Sequence, residues 1–540
     1  MVRTLKSYLH PWILPVFPAL SLYVHNSAQL RFTEVMLTMV ELLLGVTVLW
    51  VLMSIVVKER GKRAVLLSIF FILLFSYAHV KRSAAYLLLQ TGTLDRWRYL
   101  VHGNSGDKLW MAVWLGMFCL VALLVWRSTA DFIKISRFFN LLAAGTVMAV
   151  MGTWAYDWIQ QPAAEAGGFA ENWKASVDEE KVTDQLTGTN QPDIYYIILD
   201  GFGRADVLQE LYGFDDRNLL EELSQRGFYI ADQSHSNYAF TELSLTSSLN
   251  FQYLDNMTNE FGPQASSSRP LEVMADYNRL FSRLRKIGYQ VVTFSDEYAI
   301  TDLTSADTYL SPKRWVMNGF QNELFNTTPI PPVGRMLGFN DQYDVHRENI
   351  SFVFNHLATE SGNGGAKFVF AHILAPHPPF VFNADGQAVE PERNYSLNDG
   401  VAFMREASKQ EYILGYRAQA AYILKRTIES IDEILKRSNQ DPIIIVQGDH
   451  GPGSGLDWLS AKNTNMAERM SILNAYYFPE GAYYSLYPAI TPVNSFRVVL
   501  NQFFGEHYPL LDDRSYFSTI DQPYHFLDVS VCLQRGTTCE

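Results

Sequence analysis

The chain reads as an N-terminal bundle of about five transmembrane helices followed by an α/β domain with a mostly parallel sheet flanked by helices. Two observations carry this reading. Long uncharged apolar runs crowd the first 160 of 540 residues, and the rest alternates short apolar strands with helical stretches bounded by turn residues.

Five runs, at 8–26, 33–57, 64–80, 109–126 and 138–156, approach the length of about 20 apolar residues that crosses a bilayer. Buried core helices are the rival reading. Five such runs in succession, punctuated by basic loops such as KERGKR at 58–63, favour the membrane. The first run holds Pro11, Pro15 and Pro18, each of which removes a helix donor. It lacks a small-residue cleavage site of the kind a signal peptide carries. Arg3, Lys6, the 58–63 loop, Arg127, Lys134 and Arg137 place the N-terminus in the cytoplasm, and an odd number of spans then puts everything after about residue 160 outside it. The expected location is a bacterial inner (cell) membrane, crossed several times, with the later domain on the periplasmic or extracellular face. Glu41 lies deep in the second run, where a carboxylate needs a partner or water.

The expected boundaries are a membrane domain at 1–160, a linker at 161–191 rich in Ala, Gly, Glu, Asp and Thr, the α/β domain at 192–530 and a tail at 531–540. The formal charge of −13 argues against nucleic acid as a partner. Cys532 and Cys539 stand together near the C-terminus, and their spacing suits a disulfide as well as two free thiols but not a zinc signature.

Strands are expected at 193–200, 289–295, 367–374 and 442–447, with a long helix at 408–437 and another at 494–504. Working residues in such sheets gather beyond the carboxyl ends of the strands. Asp200 ends the first strand, GDHG at 448–451 follows the last, and His372 and His377 attend a third. An aspartate after a strand also serves as a turn former, and GDHG as a plain turn. Together, Asp200, Asp449 and His450 offer two carboxylates and an imidazole for one divalent ion, a set that suits Mn2+ or Zn2+. TELSLTSSLN at 241–250 reads as a helix with Thr241 at its cap or first turn, where helix dipole and free N–H groups favour negative charge. Ser244 and Ser247 then follow on the same side. A metal-bound Thr241 would be a nucleophile. Without a metal it is a capping residue.

PDIYYIILDGFG, NYAFTELSLTSSLN, HILAPHPPF and QGDHGPG, in that order, resemble the alkaline phosphatase and sulfatase superfamily. The preceding apolar runs make the chain similar to lipoteichoic acid synthases and to phosphoglycerol or phosphoethanolamine transferases. The resemblance implies an alkaline-phosphatase-like domain in which Asp200, Thr241, Asp449 and His450 hold the metal, Thr241 is the nucleophile, and Ser244 and Ser247 match the family's serines. It implies that His377 binds the phosphate or protonates the leaving oxygen, with His372 and Arg417 as further substrate contacts. His372 also reads as a buried strand residue and Arg417 as a solvated one. The implied donor is a membrane lipid or lipid-linked phosphodiester, and the acceptor a glycan, a lipid or water. An exported phosphodiesterase, a sulfuric-ester hydrolase and a catalytically silent membrane scaffold are the alternatives. No Cys/Ser-x-Pro-x-Arg motif is present, which disfavours formylglycine-dependent sulfate hydrolysis. Asp200 stands where lipoteichoic acid synthases have a glutamate.

Overall fold

The computed structural model describes residues 8–26, 32–90, 103–160, 167–179, 191–313, 317, 319–337, 342–361, 364–391, 393, 395–405, 407–535 and 538–539. Arg3, Lys6 and parts of the expected linker lie outside them. The chain forms two compact units, one of residues 1–163, 315–341 and 392–395, the other of 164–314, 342–391 and 396–540.

Among the described residues of the first unit, four helices are long and apolar enough to cross a membrane: α1 (Phe32–Val56), α2 (Arg60–Gln90), α3 (Gly103–Arg127) and α4 (Phe132–Gln160). The run at 8–26, expected to be a fifth, is two shorter helices, His10–Ile13 and Val16–His25. Pro11 sits in the first turn of one and Pro15 caps the other, so the break falls where prolines withhold donors. The apolar character of α1 to α4 makes this a membrane protein. Outward-facing Leu44, Val51, Ile55, Leu115 and Leu141 are each more than half exposed, as lipid-facing positions are. The internal cluster draws Phe320 and Leu324, from the helix Gly319–Asn326, against Val35, Val46, Leu67, Phe71 and Phe75. Glu41 finds its partner here, because Gln321 Nε2 donates to its Oε2 at 2.8 Å.

The second unit is built on a seven-stranded sheet in the order β2-β7-β6-β1-β5-β3-β4. Its central strands, β1 (Ile194–Leu199), β5 (Lys367–Ile373) and β6 (Ile443–Gln447), are buried along their whole length, as expected of continuous apolar runs covered on both faces. β3 (Gln290–Phe294) and β4 (Thr308–Leu310) extend the parallel set, while β7 (Asn474–Tyr477) runs antiparallel to β6 and carries β2 (Tyr229–Ile230). The helices include α5 (Gly167–Glu179), whose Trp173 and Val177 join the core, α6 (Thr241–Leu249) and the long α7 (Lys409–Arg437). α8 (Pro492–Phe504) packs Phe496 edge-on against Tyr196 of β1. A β8-β9 hairpin (Tyr516–Thr519, Gln522–Asp528) follows, and a disulfide joins Cys532 to Cys539.

Register places the chemistry. Ile198 of β1 lies opposite His372 of β5 and Gln447 of β6, so the loops after all three strands open at one edge of the sheet.

Candidate metal centre and nucleophile

Asp200 is the first residue past β1, and its backbone N–H donates to Ile373 O at 3.0 Å, extending the β1–β5 pairing by one step. Gly201 then takes a left-handed φ of 73°, a turn that glycine makes at no steric cost, and its N–H donates to Asp449 Oδ1 at 3.0 Å. This bond orients Asp449 and leaves its Oδ2 unused. On the other loop, a Cβ at Gly448 would strike the Phe202 carbonyl and one at Gly451 the Glu468 carbonyl, so both glycines of GDHG permit close backbone approach.

Asp200, Asp449 and His450 present ligand atoms within 4.8 Å of one another, and all three residues are buried. His450 Nε2 stands 3.3 Å from Asp449 Oδ2, 3.7 Å from Asp200 Oδ1 and 3.0 Å from the Thr241 hydroxyl. Its Nδ1–H donates to Gly451 O at 2.9 Å, which leaves Nε2 as a lone-pair donor facing the carboxylates. Asp200 Oδ1 and Asp449 Oδ2 are buried without a hydrogen-bond partner. Two unpartnered carboxylate oxygens at one point are costly unless a cation sits between them, so the donor set fits a divalent ion. Burial opposes ionisation of Asp200, but His377, His372 and His450 around it hold its carboxyl below the usual range. Burial pushes His450 down, favouring the neutral ring that a ligand needs.

Thr241 is the first residue of α6, with Phe240 as the extended cap residue. Ser244 donates to Asp449 O at 2.7 Å, as does Ser236 at 2.5 Å, so α6 is fastened to the GDHG loop through the Asp449 backbone. Ser247 instead donates to Gln252 O at 2.7 Å and closes the helix end. Tyr196 Oη of β1 bonds Ser248 at 3.1 Å and Gln447 of β6 at 2.6 Å, tying α6 to the sheet. The evenly spaced hydroxyls therefore divide their work: one faces the cluster and the others place it.

The two histidines of HILAPHPPF differ. His372 is buried between two carboxylates, with Nδ1 2.5 Å from Asp296 Oδ2 and Nε2 3.4 Å from Asp200 Oδ2. Burial alone would lower its pKa, but the two aspartates raise it well above the ordinary value. Its ring is thus turned toward Asp200 on one side and Asp296 on the other. His377 is only partly buried. Its backbone N–H donates to Asp200 O at 3.0 Å, and its Nδ1–H to Pro378 O at 2.6 Å, leaving Nε2 bare.

Arg417 is not brought to the cluster. It is exposed on α7 beside Gly213, while the buried Tyr416, Gln419 and Tyr412 of that helix bond to Gly201, His377 and Gly453 in the loops after β1, β5 and β6.

Several site residues escaped the sequence reading. Asp296, just past β3, obeys the same strand-end rule that singled out Asp200 and could have been found by it. Buried Arg469 has no such signal. Its Nε donates to Ala239 O at 2.7 Å, and its Nη1 to Gly451 O at 3.1 Å and to Asp399 Oδ2 at 2.9 Å, bracing the segment before Thr241 against the loop after His450. Glu242, next to Thr241, accepts from the Tyr298 hydroxyl at 3.1 Å, and burial pushes its carboxyl up.

Among solved structures, the chain is similar to the C-terminal periplasmic domain of EptC from Escherichia coli in complex with Zn, at 10% identity and a TM-score of 0.44, over 66% of this chain and 97% of that one. It is also similar to the integral membrane lipooligosaccharide phosphoethanolamine transferase A (EptA) from Neisseria meningitidis, at 14% identity and a TM-score of 0.37, over 93% and 95%. A third is BT1596, a 2-O GAG sulfatase, at 13% identity and a TM-score of 0.41, over 62% and 74%. No curated protein matches the chain. The Sulfatase family model matches residues 192–497, which run from just before β1 through Arg497 of α8 and take in both loops of the cluster; the chain belongs to the Sulfatase family.

Proposed function

We propose that this membrane protein transfers the phosphodiester headgroup of a membrane lipid, of the phosphoglycerol or phosphoethanolamine type, to an envelope glycan or lipid, or to water, through a covalent phosphothreonine. The observation that carries the reading is the Thr241 hydroxyl 3.0 Å from His450 Nε2, beside two unpartnered carboxylate oxygens. Asp200, Asp449, His450 and Thr241 would hold one divalent ion, Mn2+ or Zn2+, whose charge would acidify the threonine hydroxyl and offset charge on the phosphoryl oxygens.

The rest is work for the chain. The Thr241 oxygen forms a bond to phosphorus as the bond from phosphorus to the lipid oxygen breaks; the threonine proton leaves to solvent, and His377 protonates the departing alcohol. An acceptor hydroxyl then attacks, His377 takes its proton, and Thr241 departs and is reprotonated. The N-terminus of α6 supplies fixed dipoles toward the phosphoryl group. Ser236, Ser244 and Arg469 keep nucleophile and ligands in register. The apolar helices of the first unit favour a lipid donor, with the catalytic unit on the periplasmic or extracellular side.

The test is peptide mass spectrometry over residues 234–250 after incubating metal-loaded protein with membrane lipid and quenching in acid. A phosphoglycerol or phosphoethanolamine adduct on Thr241 supports the reading. Turnover without any adduct on Thr241 under rapid quench would sink it.

A further inference from the structure

Glu242 follows the nucleophile directly, in the first turn of α6. Its Oε2 is held by the Tyr298 hydroxyl, and no Lys, Arg or His among the described residues forms an ion pair with it. Arg469, whose charge reaches it, is already engaged with Asp399 and two backbone carbonyls. Glu242 and Tyr298 are both partly buried, and the Tyr298 N–H donates at 3.0 Å to Asp296 Oδ1, the carboxylate that holds His372 beside Asp200. A carboxylate with no protein cation thus borders the place where an anionic phosphodiester must sit.

Placed there, a bare carboxylate repels an anionic substrate, and that repulsion costs binding energy unless the substrate brings its own compensating charge. An alcohol bearing an ammonium group does so: its cation meets Glu242 while its phosphate meets the Thr241 side. An uncharged polyol headgroup leaves the carboxylate uncompensated. We propose that Glu242, steadied by Tyr298, is a specificity-determining residue that receives the ammonium of an amino-alcohol phosphodiester and selects it over uncharged headgroups. The inference rests on the phosphothreonine reading and narrows it to one of its two donor types.

The experiment uses full-length, metal-loaded protein in mixed micelles carrying either phosphatidylethanolamine or phosphatidylglycerol, and reads the Thr241 adduct and the rate of its formation for each lipid. The wild type is expected to prefer phosphatidylethanolamine. Glu242→Gln, matched in shape, is expected to lose about tenfold or more with phosphatidylethanolamine and to gain with phosphatidylglycerol, whose phosphate then meets no uncompensated carboxylate. Tyr298→Phe is expected to show the same selective loss, smaller. A wild type without preference, or a Gln variant with normal metal content that slows both lipids equally, would overturn the assignment while leaving the covalent reading intact. Absence of an adduct from both lipids would overturn the covalent reading and the assignment with it.

Discussion

The two units use buried polar groups in opposite ways. In the catalytic unit, Asp200, Thr241, Asp449, His450, His372 and Asp296, drawn from five separate stretches of chain, converge at one edge of the sheet. In the membrane unit, the polar contacts of the described residues lie in different places: Glu41 with Gln321, His10 with Ser68, and Lys81 with Asp107. Convergence is how a protein concentrates field and ligands at a reacting atom. Dispersion is how a membrane helix satisfies the occasional polar side chain with the least disturbance. Breaking a contact should therefore change chemistry in one unit and stability alone in the other.

The largest effect is expected from Thr241→Ala, which should cost at least about a thousandfold in turnover while the fold, read by circular dichroism, stays intact. Asp449→Asn comes next. Its Oδ1 can still accept from Gly201, so the loop should hold, while metal affinity falls by about 10- to 1,000-fold; elemental analysis and titration with Mn2+ or Zn2+ check this.

Asp216 sharpens the contrast from inside the catalytic unit, being buried but away from the cluster, with both carboxylate oxygens unpartnered. Burial raises its pKa to about 6. The native state then binds more protons than the unfolded one between about pH 4 and 6, so the stability this group contributes is present at low pH and lost as pH rises through that window. Asp216→Asn should flatten that segment of the stability profile and stabilise the protein at pH 7 by on the order of 1–3 kcal/mol, with turnover unchanged. In the membrane unit, Gln321→Leu deprives Glu41 of its donor and should cost about 1–3 kcal/mol, seen as a lower Tm in detergent, with unaltered turnover per folded molecule. A large loss of turnover there would break the comparison. Ser244→Ala should be mildest, about 1 kcal/mol, because Ser236 still donates to the same carbonyl.

The central strands were legible because β1, β5 and β6 are unbroken apolar runs, and their carboxyl ends led to Asp200 and GDHG. The edge was not legible. β2 and β4 are only two and three residues long, and β7 owes its place to pairing with β6 rather than to a pattern of its own. Periodicity placed α6 correctly. It could not say that Ser244 would reach Asp449, since that contact spans 205 positions. Arg469 was hidden for the same reason: its partners at 239, 399 and 451 share no local motif with it. Arg417 was left open between substrate contact and solvent because a long helix offers several faces, and only its long-range contacts decide which one is turned inward. Residues 8–26 fold as two shorter helices because their prolines withhold donors, whereas composition registers only their apolar character.

The first unit takes in residues 315–341 and 392–395, from within the stretch the Sulfatase model matches. Phe320 and Leu324 sit in its apolar cluster, and Asn326 Nδ2 donates to Tyr395 O at 3.0 Å. During synthesis, the membrane helices emerge first yet lack these pieces until residue 395 has been made. Assembly of the two units is thus interleaved in time, and the early helices must wait, half-finished, in the bilayer. A chain cut at residue 191 to make a soluble enzyme would carry Phe320 and Leu324 with nothing to cover them, so replacing 315–341 with a short polar linker should improve its recovery.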